Sequence, residues 1–201
     1  STPLYSSAAS DVYKRQNYYI LKRDNIMDLN LLLWRHAKTE IGFHDHDRNL
    51  TKRGKSDANI VGKYILENTL SFKILTSSSN RTVQTTKTLL DLSFQKNNFQ
   101  IIEDLYLASD DEMKDIIFSY KKESQNIICI AHNPGIHQLA LSLVKKSSID
   151  PKFEKINHKY PTAALAVIKI KDGNWENLYN KALKLIFICF RLRILKKEKS
   201  F

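Results

Sequence analysis

From Met27 onward, short apolar runs alternate with stretches whose apolar residues recur three and four positions apart, the period of a helix with one buried face. Leu29–Trp34 is apolar except for Asn30 and predicts a buried strand. Leu50-Thr51-Lys52-Arg53-Gly54 leads into a predicted helix that carries Ala58, Val61, Ile65 and Leu66 at helical spacing. Lys73–Leu75 predicts a short strand, and Ser78–Leu92 a helix with Ser or Asn as its N-cap. A third strand is expected at Phe99–Ile102, then an acid-started helix at Asp110–Lys122 with Met113, Ile116, Ile117 and Tyr120 on one side. Asn126–Ala131 (NIICIA) has the composition of a strand covered on both faces. Pro134 suits the start of a further helix whose stripe is Leu139, Leu143 and Val144. Ala164–Ile170 predicts a fifth strand, and Asp172-Gly173 before Trp175 predicts a hairpin turn into a sixth. One more apolar run lies beyond Lys181.

Strand and helix alternation ending in a hairpin predicts an α/β fold, a three-layer αβα sandwich around a mainly parallel sheet. No internal repeat or long linker divides it, and 201 residues suit one full core. The expected domain spans 27–190. Residues 1–26 are polar and aperiodic and lack the apolar segment of a signal peptide. They are expected to stand outside the fold, as non-native or disordered leader, and 191–201 as a basic, solvated tail.

Charge adds a partner class. The balance of 32 Lys+Arg against 21 Asp+Glu gives +11. Setting aside the four basic and two acidic residues of 1–26 still leaves +9, so the basic character belongs to the domain. An acidic or phosphorylated partner fits that sign. Nucleic acid is disfavoured, because the charge is spread along the chain with no aromatic-interleaved basic motif. No segment has the length of a membrane span; LKLIFICFRLRIL is interrupted by Lys and Arg. Cys129 and Cys189 sit in apolar runs without CxxC spacing, and read as buried, reduced and cytoplasmic.

Ligands of open α/β sheets bind beyond the carboxyl ends of the strands. The first predicted strand ends on Arg35-His36, the second runs into SSSNR with Arg81 in the first turn of a helix, and the fourth ends on His132-Asn133-Pro134-Gly135. Two arginines and two histidines would meet at one rim beside a helix N-terminus. A phosphoryl group suits that arrangement, since guanidinium forks match its oxygens and a helix N-terminus favours its charge. Arg35 and Arg81 would also keep a neighbouring imidazole neutral and nucleophilic. A metal is disfavoured by too few carboxylates and too many fixed positive charges. Taken singly, each residue has an ordinary reading: His36 a hydrogen-bonded strand end, Arg81 a solvated helix residue, His132 a helix cap. His44, Asp45, His46 and Asp47 alternate as metal ligands sometimes do, but a polar loop is the preferred reading. Arg48 is a candidate for an additional phosphate or substrate contact. His137 and His158 read as structural or surface residues.

RHAK (35–38), DHDRNLTKRGKSDA (45–58), SSSNRTVQTT (77–86), LYLAS (105–109), AHNPG (131–135) and YPTAALAVIKI (160–170) stand in consistent order. Together they resemble the histidine phosphatase superfamily, the phosphoglycerate mutase-like proteins, and within it the SixA branch of phosphohistidine phosphatases. The resemblance covers about residues 27–190. Asn49 departs from it, standing where the branch has Pro. The resemblance implies that His36 is a nucleophile that becomes phosphorylated, with Arg35, Arg81 and His132 completing a phosphate pocket, His132 being expected protonated once a phosphorylated substrate is docked. It implies a hydrolase with no cofactor, acting on phosphohistidine of a protein such as a histidine phosphotransfer domain. A phosphomonoesterase for a small phosphorylated molecule, or a non-catalytic phosphoprotein-binding module, are the alternatives. Glu103, Asp104 and Asp45 are the candidates for a leaving-group acid, and none has the clear signature of one.

Overall fold

Strand β1 (Leu29–Arg35) shows how the sequence builds the core. Its side chains alternate between two faces. Leu31 and Leu33 enter one buried cluster, while Leu32 and Trp34 enter another on the opposite side of the sheet. β4 (Asn126–Ala131) does the same, sending Ile127, Cys129 and Ala131 one way and Ile128 and Ile130 the other. A strand apolar on both faces requires cover on both. The computed structural model, which describes residues 29–42, 44–93, 98–144, 151–170, 173–179 and 183–189, has that cover.

Helices α1 (Lys52–Asn68) and α2 (Asn80–Leu92) lie on one face, burying Ala58, Val61, Ile65, Leu89 and Leu90. α3 (Asp110–Ser119), α4 (Gly135–Leu143) and α5 (Pro151–His158) cover the other with Met113, Ile117, Ile136, Leu139 and Ile156. Between them, β2 (Lys73–Ser77), β3 (Phe99–Ile102), β5 (Leu165–Ile170) and β6 (Lys184–Cys189) complete a six-stranded sheet ordered β3-β2-β4-β1-β5-β6. The first four in that order are mutually parallel, and β5 is antiparallel to both β1 and β6. This is the expected αβα sandwich with a mainly parallel sheet.

Local signals account for the helix starts. The Thr51 hydroxyl accepts from the Gly54 amide at 2.9 Å and caps α1. Ser109 and Glu112 close a reciprocal capping box on α3. One expectation needs correction. Trp175 does not begin a sixth strand: Trp175–Leu178 is a 3-10 turn whose Trp175 and Leu178, three apart, are both buried, and β6 comes from the later apolar run. Helix α5 escaped the periodicity reading, because only Ile156 of its eight residues is fully buried. The expected leader at 1–26, the tail at 191–201, Asp172 and the Cys189 side chain lie outside the described residues. Among the described residues, no helix is long and apolar enough to cross a membrane.

Candidate active site

The sheet order makes β2, β4 and β1 neighbours. Arg35 pairs in register with Ala131, and Thr76 with Ile130, so the next residues of the three strands emerge side by side. The His36 amide extends the ladder by one step, donating to the Ala131 carbonyl at 3.2 Å. As a result His36 and His132 meet with ring centroids 5.2 Å apart. Arg81, in the first turn of α2, reaches the same point through its Nε, which donates to His132 Nδ1 at 3.2 Å. His36, Arg81 and His132 are all buried, at 6%, 3% and 3% exposure.

Hydrogen bonding fixes the tautomers. His36 Nδ1 lies 2.8 Å from the Ala37 carbonyl oxygen, which can only accept, so Nδ1 carries the proton and Nε2 carries the lone pair. Nδ1 of His132 receives Arg81 Nε–H, so its own proton sits on Nε2, 2.8 Å from the Ser77 hydroxyl oxygen. Both rings are neutral. Burial is the main reason the His36 pKa falls to about 3; Arg35, Arg81 and Arg48 lower it further, against the Ala37 hydrogen bond. His132 also falls to about 3, through burial first and then the neighbouring His36 and Arg81. In the free site His132 is therefore neutral, because desolvation and adjacent cations outweigh the Asp45 carboxylate; the expected protonation belongs to the substrate-bound state. The two arginines do help to keep His36 neutral, but burial does more.

Arg35 approaches from the β1 end. Its Nη1 donates to the Tyr160 carbonyl at 2.8 Å, and its buried Nε has no hydrogen-bond partner among the described residues. Tyr160 is itself anchored: its hydroxyl donates to the Leu33 carbonyl at 2.6 Å, and His137 stacks on its ring at 5.5 Å. Asn133 Nδ2 donates to the same Tyr160 carbonyl at 3.0 Å. His137 is thus structural, as expected.

The 44–48 loop closes the third side. Its alternating side chains diverge and do not converge on a point. His46 Nε2 lies 3.1 Å from the Ser78 hydroxyl, and Asp45 turns toward Arg81. Among the described residues, no group of three or more His, Cys, Asp or Glu is placed to hold a metal. Asp45 collects three donors: Arg81 Nη2 at 2.7 Å, the Tyr106 hydroxyl at 2.8 Å, and Arg48 Nη2. Arg81 Nη1 also donates to the Asp45 carbonyl. Desolvation opposes ionisation of Asp45, but the Tyr106 and Arg81 hydrogen bonds win and hold its pKa down to about 2. In the free site Asp45 is therefore a carboxylate. Glu103 and Asp104 are exposed in a 3-10 turn that follows β3. Asn49, at the departure from the family pattern, accepts from Gln84 Nε2 at 2.6 Å.

Arg35, His36, Arg81 and His132 are thus brought together, and Arg48 stands beside them through Asp45. The sequence reading missed Ser77, Tyr106 and Tyr160. Each lies inside a stretch that carries the family resemblance, and Tyr106 stands edge-on to His132 at 5.5 Å and to His46 at 5.0 Å.

No protein-family profile matches the chain. Among curated proteins, an uncharacterized protein of Mycobacterium leprae is 29% identical over 159 residues, covering 76% of this chain and 96% of its own length. An uncharacterized chloroplastic protein of Arabidopsis thaliana is also 29% identical, over 74% of this chain and 70% of its own. Among solved structures, a SixA-named protein from Nakamurella multipartitia superposes with a TM-score of 0.71 at 21% identity, covering 82% of this chain and 97% of that one. The protein histidine phosphatase SixA complexed with tungstate gives 0.66 at 14%, over 83% and 99%. A mycobacterial glucosyl-3-phosphoglycerate phosphatase gives 0.56 at 12%, over 79% and 97%. The chain has the phosphoglycerate mutase-like fold that these solved structures share.

Proposed function

We propose that the protein is a phosphatase that works through a phosphohistidine at His36 and takes its phosphoryl group from phosphohistidine on a protein. The observation that carries this reading is the His36 ring, neutral, locked by Ala37 with its Nε2 lone pair free, and ringed by Arg35, Arg81 and His132. A module that only bound phosphate would need the cations and not an oriented nucleophile.

In the first step, His36 Nε2 attacks phosphorus in line. The Nε2–P bond forms, the substrate's P–N bond breaks, and the departing imidazole leaves as the neutral ring once its second nitrogen is protonated. Water then attacks phosphorus, the His36–P bond breaks, and inorganic phosphate is released. Arg35 and Arg81 stabilise the equatorial oxygens, where positioning and fixed charge supply most of the acceleration. The two negative charges of the bound phosphoryl group favour proton uptake at His132, which is neutral until then.

The identity of the leaving group separates phosphohistidine from phosphomonoesters. An alkoxide needs a positioned acid. The acidic side chain in contact with the site's cations, Asp45, is held ionised, and Glu103 and Asp104 stay exposed. An imidazole can be protonated by solvent, which supports the phosphoramidate. The small-molecule reading keeps some support from the likeness to a glucosyl-3-phosphoglycerate phosphatase. The deciding experiment presents the protein with a phosphorylated histidine phosphotransfer domain and with a panel of phosphomonoesters, His36→Ala serving as control. Release from the phosphoprotein alone supports the proposal; preferential release from a sugar phosphate refutes the substrate assignment.

A further inference from the structure

We propose that the Asp45 carboxylate is an internal stand-in for the substrate's phosphoryl group, and that Arg81 Nη2, Arg48 Nη2 and the Tyr106 hydroxyl, the donors it occupies, pass to substrate oxygens on binding. The inference rests on the phosphoryl-binding reading above and adds Tyr106 to the groups that touch substrate.

One carboxylate here gathers three donors from three separate segments, two of them cationic, immediately beside His132. That donor set is the one a tetrahedral oxyanion would take. A carboxylate and a phosphoryl dianion cannot share it, because like charges a few ångströms apart repel. One of them has to leave, and exposure decides which. The Arg81 side chain is 4% exposed and the Asp45 side chain 49%. The guanidinium is fixed and the carboxylate can rotate into solvent.

The loop backbone is built to stay while the side chain goes. The Asn80 amide donates to the His46 carbonyl at 3.0 Å, and Asn80 Nδ2 to the Asp47 carbonyl at 3.0 Å. The Asp45 carbonyl keeps Arg81 Nη1 throughout. Tyr106 is held edge-on between His46 and His132, so its hydroxyl remains aimed at the vacated position. Before substrate arrives, the carboxylate neutralises the fork and keeps Arg81 in the orientation that binding uses. It also lowers affinity for any small oxyanion that brings no contacts beyond its own oxygens. Asp45 is then a specificity residue that favours a phosphoryl group carried on a larger body over free phosphate.

The test is calorimetric binding of inorganic phosphate and of tungstate to the full chain at fixed ionic strength, with thermal unfolding to verify that each variant is folded. Asp45→Asn and Asp45→Ala should each bind about tenfold more tightly than the wild type, the scale of one repulsive charge in a partly solvated site. Adding Tyr106→Phe to Asp45→Ala should then weaken binding several-fold. Equal or weaker binding by both Asp45 variants, as expected of a carboxylate that merely orients Arg81, overturns the inference and leaves the phosphatase reading standing. No change on adding Tyr106→Phe removes Tyr106 from the substrate contacts. Failure of wild type and Asp45→Ala alike to bind either anion overturns the phosphoryl-binding reading and this inference together.

Discussion

Arg81 Nε donates to His132 Nδ1 at 3.2 Å, and that bond makes the arginine responsible for the histidine's tautomer as well as for charge. Lysine could keep the charge, but it lacks the planar fork that spans His132, the Asp45 carbonyl and the Asp45 carboxylate together. Arg81→Lys should therefore lose on the order of a hundredfold in kcat/KM, close to the loss for Arg81→Ala. Steady-state phosphate release from a phosphorylated histidine phosphotransfer domain measures it; a lysine variant near wild-type activity would show that only the charge matters.

His36→Ala should remove both turnover and covalent labelling by a radioactive phosphoryl donor, whereas His132→Ala should slow turnover yet still allow label to accumulate. The difference follows from the lone pairs. His36 has Nε2 free, whereas both nitrogens of His132 are engaged, by Arg81 and Ser77. Retained labelling in His36→Ala would move the nucleophile elsewhere.

Acid should destabilise the fold through these same rings. In the unfolded chain each histidine binds its proton near pH 6.5, and in the folded protein not until about pH 3. Between those values the unfolded state holds more protons, so stability falls as pH drops. The slope approaches about 1.4 kcal/mol per pH unit for each histidine. Thermal midpoints recorded from pH 7 down to pH 5 should decline, and His36→Ala should decline less steeply. A wild-type midpoint that does not move across that range would contradict the buried, neutral assignment.

Gly135 opens α4 directly after the His132-Asn133-Pro134 turn, and a methyl group there would stand 2.0 Å from the Ala108 carbonyl oxygen. Backbone cannot yield that far without moving the helix start, and the Ile136 amide is bonded to the His132 carbonyl. Gly135→Ala should cost at least about 1 kcal/mol of stability and reduce kcat more than KM, as His132 shifts from Arg81. Unfolding and steady-state kinetics on one preparation test both halves; an alanine variant with unaltered stability would refute the packing account.

The strand ends were readable from sequence because each couples a continuous apolar run to polar residues in a single step, as LLLW does to Arg35-His36 and NIICIA to His132-Asn133. What was not readable depends on contacts across long sequence separations. Asp45 meets Arg81 thirty-six residues away and Tyr106 sixty-one away, from a loop with no periodicity of its own. The neutrality of His132 in the free site was not readable for a related reason: composition reveals neighbouring charges, but the dominant effect is burial. A sixth strand starting at Trp175 was the plausible continuation of β5, overridden by the chance to bury Trp175 and Leu178 one 3-10 turn apart.

The sheet order also governs how long the site survives as the molecule loosens. β3 and β6 are the outer strands, and neither supplies Arg35, His36, Ser77 or His132. Amides of these margins can exchange through local opening while β2, β4 and β1 remain paired and the histidines keep their partners. The cluster should dissolve only with the centre of the sheet, so that heating erases phosphate binding and the whole fold at one temperature, not in sequence.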